Sequence, residues 1–290
     1  MMQAYETKTI QSILKSEIME SGTGIAILGS ALGSAKLVEK LLGPTAEYIG
    51  AGIQSWTEQR VNNVSKIFEC AQEKLGDKID EPGAIPPRVL KEVLDEGSFC
   101  NDPLTAEYFG GVLASSRSQI SRDDRGASWS SLVARLSNYQ VRSHYVFYRS
   151  IYDRFIGQDF LFNINDRSKL EVLIPFSSYF EAMEFTEDEM KHIGSILNHA
   201  FFGLNKEGLI ETFVYGSGED LKRRRMNRVE PPEEGGILAT PSALGGELFL
   251  WAHGFGSSDL GSILKLQLDI PAGMTPCRTV LSLDDLKPNK

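Results

Sequence analysis

Apolar residues set the pattern of the chain's second half. Met190, Ile193, Ile196, Leu197 and Ala200 recur at the spacing of one buried helical stripe. Thr186 stands where an N-cap belongs. Glu189 completes a capping box with it, and Glu187 and Asp188 suit the positive helix end. After Gly203 the run Leu209 to Tyr215 is rich in β-branched and aromatic residues and predicts a strand. Gly216 to Gly236 is polar and rich in Pro and Gly, the composition of an exposed loop. Ile237 to Thr240 predicts the returning strand. Pro241 and Ser242 then open a helix whose apolar face is Leu244, Leu248, Phe249 and Ala252, and Gly254 is placed to stop it.

The first half reads as helical throughout. Ile10, Ile13, Leu14 and Ile18 give one apolar side to Tyr5–Glu20, and Thr45 to Leu75 carries Ile49, Ile53, Val64, Ile67 and Phe68 at helical spacing. Gly76 to Pro87 reads as a connector. Arg88 to Glu96 predicts a short helix, and Asn101-Asp102-Pro103 opens another with Leu104, Tyr108, Val112 and Leu113. Ser115 to Ser128 predicts a loop, followed by a single long helix from Trp129 to Phe155. A strand or two is expected in Phe160–Phe180, another over Ser262–Leu268, and a frayed polar end from Leu286. The fold class expected is mainly α (α+β). A helical N-terminal half is followed by a winged-helix-like C-terminal module with a small antiparallel sheet. Such a unit reads nucleic acid in some proteins and packs against partners in others. The expected segments are 1–44, 45–158, 159–270 and a tail at 271–290.

Composition narrows the class. The 290 residues are 41% hydrophobic and 24% charged, ordinary values for a folded domain or two. A net charge of −9 argues against general nucleic-acid affinity. Cys70, Cys100 and Cys277 are odd in number and lack metal spacing, as in a reducing compartment. The N-terminus lacks an apolar signal core, so the expected location is the cytoplasm, with peripheral association at the inner membrane as a further expectation.

Two stretches stand out. Ser21 to Ala35 carries no charge. Within it Gly22, Ala26, Ser30 and Ser34 recur every fourth residue, and Gly29 and Gly33 form a GxxxG that lets helices approach closely. Soluble helix packing, membrane association and a phosphate-binding loop compete for this ladder. The last is weakest, because the Lys-Ser/Thr ending of a P-loop is missing. The second stretch is Lys222, Arg223, Arg224, Arg225 and Arg228 within the wing. These could contact a phosphate backbone or anionic lipid, or form a solvated loop balanced by Glu219, Asp220, Glu230, Glu233 and Glu234. The helix after Thr186 opens with acids, which opposes DNA contact. His192 and His199 are two turns apart, without a third metal ligand, and no GxSxG exists. No catalytic, metal or cofactor residues are expected.

The run RVLKEVLDEGSFCNDPLTAEYFGGVLASS (Arg88 to Ser116), with WSSLVARLSNYQVRSHYVFYRSIY after it (Trp129 to Tyr152), resembles the core of the Abi-alpha family. LNKEGLIE (Leu204 to Glu211) and LATPSALGGELFLWA (Leu238 to Ala252) continue the resemblance, which spans roughly Tyr48 to Gly254. The length of the wing and the stretch Phe160 to Glu184 depart from the family pattern. The family comprises bacterial proteins associated with abortive infection, a form of phage defence. The resemblance implies a defence context and no biochemical activity. With the uncharged small-residue ladder, the expected function is a non-enzymatic defence protein acting by oligomer or membrane association, with a phage or host protein as trigger. The alternative is a nucleic-acid-binding regulator that uses the basic wing.

Overall fold

The computed structural model describes residues 40, 58–120, 122–158, 161–163, 165–224, 228–271 and 273–288. The small-residue ladder Gly22, Ala26, Gly29, Ser30, Gly33 and Ser34 lies outside them, as does Arg225. The described chain is mainly helical with one small antiparallel sheet. It groups into two compact units, residues up to Arg135 with Ala252–Gly256, and Leu136–Trp251 with Ser257–Lys290.

Unit 1 is helical. It comprises α1 (Glu58–Leu75), α2 (Pro87–Gly97), α3 (Pro103–Ser116) and α4 (Arg125–Arg135). Asp102 caps α3 by accepting the Thr105 N–H at 2.8 Å, ahead of Pro103 at the first helical position. Val64, Ile67 and Phe68 of α1 are buried, with Val89 and Val93 of α2 and Tyr108, Phe109 and Val112 of α3. The connector after α1 is held in place. Arg117 donates to the carbonyls of Lys78 and Ile79 at 3.0 and 3.1 Å, and Gly76–Asp80 forms a 3-10 turn.

The helix expected over Trp129–Phe155 is two helices. α4 ends at Arg135 and α5 (Asn138–Phe155) begins after a full capping box, Ser137 with Gln140. A local signal that starts a helix overrides a continuous apolar period here. The division between units falls at this break.

Unit 2 is built around α5. Next come β1 (Val172–Pro175), α6 (Phe176–Met183), the single turn α7 (Glu187–Met190), α8 (Ile193–Lys206) and β2 (Ile210–Gly216). The wing carries α9 (Gly218–Arg224), then β3 (Gly236–Pro241), α10 (Ala243–Ala252) and β4 (Leu281–Ser282) follow. The strand order is β2-β3-β1-β4, with each neighbouring pair antiparallel. Register pairs Leu238 with both Leu173 and Val214, and Ile237 with Ile174 and Tyr215. Successive residues point to opposite faces, so the sheet has two different sides. On one, the Phe213 and Tyr215 rings lie 5.8 and 6.4 Å from Phe201 of α8. On the other, Leu173 and Leu238 form a cluster with Leu221, Val229 and Leu286, and Val214 packs against it.

Three further expectations change here. Ser262–Leu268 is no strand: Leu260–Lys265 is a 3-10 turn capped by Asp259. Leu286 is 1% exposed, so that part of the chain end is anchored by an apolar side chain and not frayed. The capping box at Thr186 forms, but the helix it starts lasts one turn, and α8 begins again after His192.

Candidate functional site

The described part of the wing is folded, which the sequence does not suggest. Ser217 accepts the Asp220 N–H at 3.2 Å and starts α9. Leu221 of α9 and Val229 beyond it are buried in the cluster on the sheet, and the Glu230 N–H donates to the Leu286 carbonyl at 2.6 Å. Two apolar residues among many charges are enough to dock the segment on the sheet face opposite α8. Gly235, at φ +76, closes the wing where a Cβ would meet the Gly216 carbonyl oxygen at 1.9 Å.

This placement decides the state of the basic cluster. Lys222 lies 3.8 Å from Glu230, and Arg223 lies 3.7 and 3.8 Å from Glu219 and Asp220. Exposed pairs this long add little stability, yet they offset the charge offered to an anion. Arg224 and Arg228 are exposed. These four cations therefore share one segment with acids and sit on the far side of the sheet from α8.

The acidity expected along the Thr186 helix belongs to α7 alone. From Ile193 to Lys206 α8 contains no carboxylate, and its exposed positions include Ser195, Asn198, His199, Asn205 and Lys206. Exposed with them is Phe202 (61%), whose ring packs edge-on against Phe213 of β2 at 5.1 Å. β2 is an edge strand of the sheet, and Glu211 is the only charged residue in its seven.

The histidines separate into structural roles. His144 is fully buried with Nε2 3.0 Å from the Gly245 carbonyl oxygen. His199 Nε2 lies 2.9 Å from Ser137 Oγ, which also accepts the Gln140 N–H at the start of α5. A serine–histidine contact in which the hydroxyl caps a helix ties α8 to α5; it does not make a nucleophile. Among the described residues no group of His, Cys, Asp or Glu could hold a metal ion. No described helix is long and apolar enough to cross a membrane. All three cysteines are free. Burial, then the Glu107 carboxylate, pushes the Cys70 thiol up to about 12, and burial pushes Cys100 and Cys277 up to about 11. Such thiols are poor nucleophiles at neutral pH.

Unit 2 also holds an open cavity of about 520 Å³ that sequence reading missed. One wall is Leu161–Asn163 with Arg167, and the other is Asp259 and the turn Leu260–Lys265. Both rest on α10 at Gly246, where a Cβ would meet Phe162 Cε1 at 2.6 Å and Leu260 Cδ1 at 2.9 Å. The walls come from distant stretches without a shared motif, so no spacing rule could pair them. No family model, curated protein or solved structure matches the chain in these comparisons.

Proposed function

We propose that this chain is a non-enzymatic bacterial defence protein of the abortive-infection type, acting by association with a second copy of itself. The observation that carries the association is the β2 edge. A seven-residue edge strand with one charge and neither lysine nor proline, flanked by the exposed Phe202, supports pairing with a second copy over Phe213–Gly216. A register shift between Ile210 and Thr212 and the Asn205 amide on the Ile210 and Glu211 carbonyls guard only its first residues. The defence context rests on the family resemblance. Unit 2 is read as a winged-helix-like module. The order α5, β1, α6, α8, β2, β3, with β3 between β2 and β1, supports that reading.

The test joins oligomeric state to phage sensitivity. Light scattering is expected to show a dimer or larger at micromolar concentration, shifted toward monomer by Phe202→Glu. Cells expressing the wild type should plate phage poorly, and Phe202→Glu should restore plating. A wild-type monomer at those concentrations would overturn the association, and unaltered plating by the wild type would overturn the defence role. The membrane version depends on the ladder at 22–34, and co-sedimentation of the full chain with anionic liposomes tests it.

A nucleic-acid reading has one observation in its favour, the absence of carboxylates from α8. Replacing Arg223, Arg224 and Arg228 with alanine should then weaken duplex DNA binding and flatten its salt dependence. Equal binding by wild type and variant would remove the wing from that reading.

A further inference from the structure

The geometry points to the cavity of unit 2 as a binding site for a small phosphorylated polyol, either a sugar phosphate or the sugar-phosphate end of a mononucleotide. Its volume of about 520 Å³ falls within the range of small-molecule sites. Arg167 is the anchor. Its side chain is only 18% exposed, and its Nε donates to Glu211 Oε2 at a long 3.3 Å. Its four remaining N–H groups have no protein partner among the described residues. A largely covered side chain whose guanidinium lines the cavity with donors to spare beyond Glu211 can take an anionic acceptor there, and its planar fork matches a phosphate.

Other lining groups complete the chemistry. Lys265 ends the opposite wall, exposed and without an ion pair among the described residues. Asn163 Oδ1 is occupied by the N–H groups of Asn165 and Asp166 at 2.8 and 3.1 Å, so its amide N–H₂ is left to donate. Asp259 spends Oδ1 on the Gly261 N–H at 3.1 Å and keeps acceptor capacity for a hydroxyl. The cavity thus offers two cations and an amide to an anionic group, and one carboxylate to an alcohol. Leu161, 40% exposed, and Leu260 add apolar lips.

Isothermal titration of the full chain with ribose 5-phosphate, adenosine 5′-monophosphate, inorganic phosphate, ribose and adenosine tests the assignment. Ribose 5-phosphate or the nucleotide is expected to bind more tightly than inorganic phosphate, and the uncharged probes not at all. Tighter binding of the nucleotide than of ribose 5-phosphate assigns the site to nucleotides, and the reverse assigns it to sugar phosphates. Arg167→Gln and Lys265→Gln should each weaken binding about tenfold or more, while Lys287→Gln, outside the cavity, changes nothing. Lys265 is exposed, so its variant decides the matter even if Arg167→Gln fails to fold. The assignment is overturned by any of three results: no binding of either phosphorylated probe at millimolar concentration, inorganic phosphate binding as tightly as they do, or full affinity in Lys265→Gln.

Discussion

The Tyr148 hydroxyl joins three segments of unit 2. It donates to the Leu209 carbonyl at 2.7 Å and accepts the Ser242 N–H at 3.0 Å, from a side chain that is fully buried. Burial raises its pKa, opposed by its bonds to Ser242, so it stays a neutral phenol. Tyr148→Phe keeps the ring but leaves a buried N–H without its acceptor. It should cost about 1–3 kcal/mol in denaturant unfolding. A loss within about 0.5 kcal/mol, the range of surface changes, would show that this junction has another support. Helical period alone puts Tyr148 on one side with Val141 and Tyr145, the side that is buried. Its partners lie at separations of 61 and 94 residues, which no local pattern encodes.

At the scale of an element, the short α7 shows how a cap couples structure to pH. Glu189 accepts the Thr186 N–H and hydroxyl at 2.7 and 2.8 Å, and the Tyr139 hydroxyl at 2.8 Å. These bonds, the Thr186 N–H first, hold its carboxyl below the usual 4.5. A carboxyl depressed in the folded state stabilises it fully above the unfolded value, and that contribution disappears as pH falls through the folded one. Glu189→Gln keeps the shape and removes the charge. The stability gap between wild type and variant should therefore be widest near neutrality and narrow below pH 4.5 in urea titrations. A gap constant with pH would show that the charge has no part. The box itself was legible, since its partners lie three residues apart. The break after one turn was not, because the apolar stripe continues from Met190 through it.

For the whole molecule, charge sets the bounds. With a net charge of −9, any contact with nucleic acid must be local. Among the described residues the wing offers four cations, Lys222, Arg223, Arg224 and Arg228. Four phosphate contacts give a log–log salt slope of about −3.6 on duplex DNA, so a measured slope should be that or shallower. A steeper one would mean that cations beyond these four take part.

What the sequence determined by itself was the class of the fold and most of its elements. Capping signals, prolines at helix starts and the two periods of apolar residues act within a few positions, and they were legible at Asp102, Thr186 and along β2 and β3. The capping box at Ser137 is equally local but was hidden by the continuous apolar period around it. The tertiary structure alone decided the rest. Leu221, Val229 and Leu286 look like isolated apolar residues in polar runs until the open face of the sheet supplies them with a surface to bury. Arg167 and Lys265 face one cavity only because Phe162 and Leu260 both settle on Gly246. Burial and convergence depend on residues far apart in the chain, and linear spacing carries no record of them.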